Sequence, residues 1–137
     1  MTEITDDFGI TVLSLAADPV ARVDPTATVS EIARALVDVE VGALVVGEGG
    51  EVEGIVSERD VVRALAAGLD PHATCAADIA HRELIWCDAS ASITEVANEM
   101  MDRYVRHVLV EEDGRLVGIV SARDLLGAYA SADLPEG

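Results

Sequence analysis

Lysine is missing from this chain: all nine basic residues among its 137 are arginines, set against 26 acidic ones, for a formal net charge of −17. That absence excludes Schiff-base chemistry and any phosphate-binding loop of the Gly-x-x-x-x-Gly-Lys-Ser/Thr type. A field of this sign also repels phosphate backbones, so nucleic acid is not expected as a partner. Aromatic residues are almost as scarce, with only Phe8, Trp86, Tyr104 and Tyr129 present. Half of the chain is nevertheless apolar, so the core must be built from Val, Ile, Leu and Ala. Such residues suit a sheet covered by helices.

Long apolar runs are lacking too. The stretch from Val41 to Val46 is typical of the longest, far below the roughly 20 residues that span a bilayer, so no membrane partner is expected. The segment Met1–Asp7 is acidic, the wrong sign for a secretory leader, and two cysteines make no disulfide framework. These features predict a cytoplasmic protein. Cys75, His81 and Cys87 are separated by five residues in turn, which matches no common zinc spacing; Cys87 falls in a predicted strand, and His72 in a predicted solvated linker. Acidic pairs such as Glu111-Glu112 read as solvated charge. A lysine-free acidic surface is similar to those of extreme halophiles, where salt screens the self-repulsion, although an ordinary acidic protein of biased composition would look the same.

The chain repeats itself. Shifted by 64 residues, positions 13–66 align without a gap on 77–130, with 18 identities among 54 pairs. Gly54-Ile55-Val56-Ser57-Glu58-Arg59-Asp60 meets Gly118-Ile119-Val120-Ser121-Ala122-Arg123-Asp124. Each copy predicts a short strand (20–23; 84–87), then a turn at Asp24-Pro25 or Asp88-Ala89. A helix follows, opened by a capping box, Thr28 with Glu31 or Ser92 with Glu95. Its apolar positions recur at helical spacing: Val29, Ile32, Ala33, Leu36 and Ile93, Val96, Ala97, Met100. A predicted hairpin comes next (43–46 with 52–56; 107–110 with 116–120), and a last helix begins at Ser57 or Ser121. The first copy is expected to end near Gly68, a C-terminal cap, and Pro71 lies in the connection.

This strand–helix–strand–strand–helix order, twice over, with Gly-aliphatic-aliphatic-Ser-x-x-Asp closing the third strand of each copy, resembles a pair of cystathionine-β-synthase (CBS) domains. The resemblance covers about residues 10–131. It implies an α/β fold of two tandem βαββα CBS repeats packed sheet to sheet about a pseudo-two-fold axis. The expected division is an N-terminal tail at 1–9, repeat 1 at 10–68, a linker at 69–76, repeat 2 at 77–131 and a C-terminal tail at 132–137.

Two readings of Ser-x-x-Asp stand side by side. Ser57 with Asp60, and Ser121 with Asp124, are themselves capping boxes and would start a helix with no ligand at all. Against that, Arg59 and Arg123 sit in the first helical turn, where the helix dipole disfavours a cation, and an anion nearby would account for both. A helix start behind a strand is a ready anion site. The resemblance implies that Asp60 and Asp124 bind ribose hydroxyls in clefts between the repeats, with Ser57 and Ser121 facing phosphate. It also implies that Ala21, Arg22, Ile85 and Trp86 flank the adenine. Where the first copy has Gly42-Ala43, the second has Arg106-His107, placed where family members carry cations directed at phosphate; surface pairing with the abundant carboxylates is the alternative. The sites are therefore expected to be unequal, the one at Asp124 being better equipped for phosphate.

No nucleophile–base arrangement is legible, so no enzyme is expected and no cofactor. The function implied is a stand-alone regulatory module that binds AMP, ADP or ATP and signals to a regulated protein the sequence does not name, as a homodimer joined through the apolar faces of its helices (Val61, Leu65; Leu125, Leu126). S-adenosylmethionine-type ligands share the ribose contact. A ligand-free interaction scaffold is the rival from another class.

Overall fold

The computed structural model describes residues 10–16 and 20–132; the expected tail at 1–9 and all but the first residue of that at 132–137 lie outside the described residues. Two compact units form. One is Val20–Leu84; the other combines the described residues 10–16 with those from Ile85 onward.

The first unit holds β1 (Arg22–Val23), α1 (Val29–Val39), β2 (Ala43–Val46), β3 (Gly54–Ser57), α2 (Glu58–Ala66) and a short α3 (Ala76–Ile79). β1 runs parallel to β2, and β2 pairs antiparallel with β3, Ala43 opposite Ser57 and Val46 opposite Gly54. The second unit has β4 (Trp86–Asp88), α4 (Ile93–Arg103), β5 (His107–Glu112), β6 (Arg115–Ser121) and α5 (Ala122–Ala132). Its sheet has the same order, β4-β5-β6, with His107 opposite Ser121 and Val110 opposite Gly118. The doubled βαββα order expected from the repeat is present.

Burial explains why each copy folds this way. Val29, Ile32 and Leu36 on one face of α1 meet Leu44, Val46 and Val56 from the sheet, Val61 from α2 and Ala76 from α3. Shifted by 64, the second core is Ile93, Val96, Met100, Val108, Val110, Val120 and Leu125, with Val12 in the place of Ala76. Burying each such aliphatic side chain stabilises by about 1.5–3 kcal/mol. Both long helices open with the expected capping boxes: Thr28 and Ser92 each accept from the backbone N–H of Glu31 or Glu95. Both close on a left-handed residue, Glu40 (φ 62°) and Tyr104 (φ 57°), whose N–H returns to Leu36 or Met100. Asp24 and Asp88, which open the turns before these helices, each accept from a backbone N–H two residues on, at Thr26 and Ser90. Bonds from the Thr26 N–H and hydroxyl hold the Asp24 carboxyl, and bonds from the Ser90 hydroxyl and N–H hold that of Asp88, below the usual range.

Two short elements have no counterpart in the predicted scheme. α3 lies against α2 and β3, and a 3-10 turn at Val12–Leu15 lies against β6 and α5. They are related by the same shift of 64. Each precedes the first strand of one copy in the chain and completes the core of the other. The connection after Gly68 also packs closely: Pro71 and Thr74 carbonyls accept from Ser30 and Val29 at the start of α1.

These returning segments explain the motif glycines. A Cβ on Gly54 would stand 2.6 Å from the His81 carbonyl oxygen, and one on Gly118 would stand 2.2 Å from Ala16 Cβ. Only glycine lets the chain lie this close to the third strand.

Val61 and Leu125, expected with Leu65 and Leu126 on the apolar helix faces of a dimer interface, are instead core residues, 7% and 4% exposed. Their neighbours Leu65 and Leu126 do face solvent.

Candidate functional site

In each unit the sheet gathers the motif residues at one end. In the second, Ser121 ends β6 directly opposite His107 at the start of β5, and the N–H of Ala122 donates to the Arg106 carbonyl at 2.8 Å. The first turn of α5 is thus fastened beside Arg106-His107. β4 runs parallel on the other side of β5, with Trp86 level with Leu109 and the Ile85 carbonyl accepting from the Leu109 N–H. Ile85 is half-buried and Trp86 partly exposed. The first unit repeats this arrangement, with Ser57 opposite Ala43, Glu58 N–H donating to the Gly42 carbonyl and the Ala21 carbonyl accepting from Val45. Arg22 extends outward and donates to the Glu51 carbonyl at 3.3 Å.

Both Ser-x-x-Asp pairs form capping boxes. Ser57 N–H donates to Asp60 Oδ2 at 2.7 Å, and Ser121 N–H to Asp124 Oδ2 at 2.8 Å. The return bonds run from Asp60 N–H to Ser57 Oγ and from Asp124 N–H to Ser121 Oγ. The cap engages one carboxylate oxygen in each copy, and the other oxygen is where the copies part. Asp60 Oδ1 lies 2.7 Å from His81 Nε2, and Asp60 is only 5% exposed. Asp124 is solvent-exposed, and its Oδ1 has no hydrogen-bond partner among the described residues.

Arg59 and Arg123 are exposed, and among the described residues neither forms an ion pair. The neighbouring carboxylates of their own motifs therefore do not account for their position. Arg106 is likewise exposed, without an ion pair among the described residues, while His107 is half-buried.

The His81–Asp60 contact is absent from the sequence reading, which considered His81 only as a zinc ligand. The signal was available: carried to residue 81, the shift of 64 sets His81 against Ala17, as unequal a pair as Arg106-His107 against Gly42-Ala43. Cys75 belongs to a further capping box, its N–H donating to Asp78 Oδ2 at 3.0 Å. Cys87 is half-buried in β4, and burial, with the charges of Asp88, Glu111, Glu95 and Glu99, pushes its thiol up to about 11. Among the described residues no group of three or more His, Cys, Asp or Glu side chains is arranged to hold a metal ion, and no helix is long and apolar enough to cross a membrane.

A strand, a glycine-tight return, a capping Ser-x-x-Asp and a covering helix are built twice, and comparison with known proteins names the fold. The CBS domain family model matches residues 12–67 and again 76–131, so the chain belongs to the CBS-domain family as a tandem pair. Hypoxic response protein 1 of Mycobacterium tuberculosis is 38% identical over 100 residues, 72% of this chain and 70% of that protein. A CBS domain protein from Pyrobaculum aerophilum, solved in complex with AMP, is 31% identical with a TM-score of 0.77, covering 89% of this chain and 99% of that one. A solved Hypoxic Response Protein I with two coordinated zinc ions is 34% identical with a TM-score of 0.71, covering 92% and 100%.

Proposed function

We propose that this CBS pair is a regulatory module rather than an enzyme, and that its second repeat binds an adenosine nucleotide, AMP, ADP or ATP. One observation carries the reading: the exposed Asp124 spends one oxygen on the cap of α5, and its Oδ1 has no partner among the described residues, beside a strand start that carries Arg106 and His107. A carboxylate oxygen of this kind suits the two hydroxyls of a ribose, each bond to a charged acceptor contributing about 1.5–3 kcal/mol. Arg106 and Arg123 would face the phosphate, as charge-assisted donors do. Ile85 and Trp86 offer the adenine an apolar flank. The AMP complex of the Pyrobaculum aerophilum protein supports the same ligand class.

The nucleotide would change how a homodimer presents itself to a regulated protein. Leu65 and Leu126, 50% and 70% exposed, are the apolar residues a second copy would cover. A second reading, a scaffold without ligand, has its own support in the complete capping boxes, which already give Ser57, Asp60, Ser121 and Asp124 a structural task. A thermal-shift screen with AMP, ADP, ATP and S-adenosylmethionine separates the two. Molar salt is the right medium for it, because a chain of net charge −17 repels itself when unscreened. A nucleotide at a hundred times its Kd stabilises the folded state by about 2.7 kcal/mol and raises the melting temperature accordingly. No shift with any of the four would favour the scaffold.

A further inference from the structure

The two copies of the motif share their glycine, serine, arginine and aspartate but are unequal in state, and the difference at the carboxylate lies in one imidazole. The segment after α3 returns along β3: Ile55 and His81 exchange both backbone hydrogen bonds, at 3.0 and 2.9 Å. Gly54 permits this approach, since any Cβ there would strike the His81 carbonyl. The backbone of residue 81 is thereby fixed beside the strand that ends in Ser57. From there the side chain reaches Asp60, with Nε2 2.7 Å from Oδ1, while Ser57 N–H and Ser57 Oγ both donate to Oδ2, at 2.7 and 2.9 Å. Both oxygens of a carboxylate that is 5% exposed are therefore already bonded. His81 itself is 59% exposed, so it sits over the carboxylate from the solvent side rather than within the core. In the sequence, the shift of 64 sets Ala17 against His81, and an alanine side chain has no donor to offer.

We propose that His81 is an internal latch on the first copy of the site: it takes the carboxylate oxygen that a ribose would use, so that each chain binds one nucleotide, at Asp124, and not two. The latch rests on the nucleotide reading above and adds to it the stoichiometry and the residue that sets it. It also explains why the first copy carries Gly42-Ala43 where the second has Arg106-His107. A site kept shut by its own chain has less need of phosphate-directed cations, and of these the first copy keeps only Arg59 of its motif.

The experiment is a calorimetric titration of the full chain with AMP, comparing wild type, His81→Ala, His81→Gln and the double variant His81→Ala/Asp124→Asn. Wild type should bind one AMP per chain. His81→Ala frees Asp60 Oδ1 and should raise the count to two, while the double variant should return it to one, held at Asp60. Glutamine restores a side-chain donor at position 81, so His81→Gln should stay at one; circular dichroism on each variant establishes that it is folded. Two AMP per wild-type chain, or one per chain in a folded His81→Ala, would overturn the latch and leave the nucleotide reading standing. Failure of both wild type and folded His81→Ala to bind would overturn the two together. Binding only after His81→Ala would overturn the assignment to Asp124 and sustain the latch.

Discussion

Asp60 and Asp124 occupy the same position of the same motif, cap equivalent helices through the same oxygen, and differ in everything else. Asp60 is buried and bonded on both sides; Asp124 is exposed, and its Oδ1 has no partner among the described residues. A duplicated module keeps its core and its caps because both copies must fold, but only one copy needs to keep an open site. On the nucleotide reading, the first copy is then free to give its carboxylate a purely structural task. The comparison teaches that a motif repeated in sequence need not leave its carboxylate in the same state in both copies.

The largest expected effect comes from the glycines that let each returning segment lie on its strand. Gly54→Ala and Gly118→Ala should each destabilise by about 1–3 kcal/mol, the usual cost of overpacking, read from chemical denaturation. The two should then part on rescue. Ala16→Gly removes the Cβ that stands 2.2 Å from the intruding atom at 118 and should recover much of the loss there. No side-chain trimming rescues Gly54→Ala, because the atom it meets is the main-chain oxygen of His81. Equal rescue at both sites would mean that the two returns are not built as described.

The carboxylates themselves come next. Asp60→Ala strips a buried acceptor from Ser57 N–H and from His81, and should cost about 1–3 kcal/mol. Asp124→Ala loses mainly an exposed helix cap, worth about 1 kcal/mol. Denaturation midpoints in which Asp124→Ala is the more damaging of the two would reverse the assignment of structural and open copy.

The smallest effect concerns Cys87, which stands where the first copy has Val23. Burial comes first, then the charges of Asp88 and its acidic neighbours, in raising this thiol from 9.0 to about 11. At pH 8 its reactive thiolate is then about a hundredth as abundant as in an unperturbed thiol. In a Cys75→Ser background, alkylation by iodoacetamide should be slow at pH 8 and rise about tenfold per pH unit until near 11. A half-maximal rate already near pH 9 would place Cys87 in water rather than against the core, where Val23 packs in its own unit.

Much of the fold was legible because each copy testifies to the other. Helical spacing at Val29, Ile32 and Leu36 and again at Ile93, Val96 and Met100 left little freedom for α1 and α4, and the capping boxes fixed where they start. The short turns at 12–15 and 76–79 were not legible. Each is one turn of helix, too short for a period to show, and its place in the core depends on contacts with strands more than 20 residues away. Val61 and Leu125 were misread for a related reason: spacing reveals that a helix has an apolar face, but not whether that face meets its own sheet or another chain. The candidate residues at Ser121, Asp124, Arg106 and His107 were drawn together by β-pairing that the hairpin pattern implies. His81 was not, since nothing in its immediate neighbours announces a side chain that reaches back 21 residues to Asp60.

The central claim is that Asp124 holds a nucleotide through the oxygen its cap leaves over, and Asp124→Asn tests it most directly. Asparagine keeps the size of the side chain and a carbonyl oxygen for the Ser121 N–H, while removing the charge. Calorimetry with AMP in molar salt should show affinity falling at least tenfold from wild type, with the melting temperature nearly unchanged. Unaltered affinity in a folded Asp124→Asn would contradict the claim.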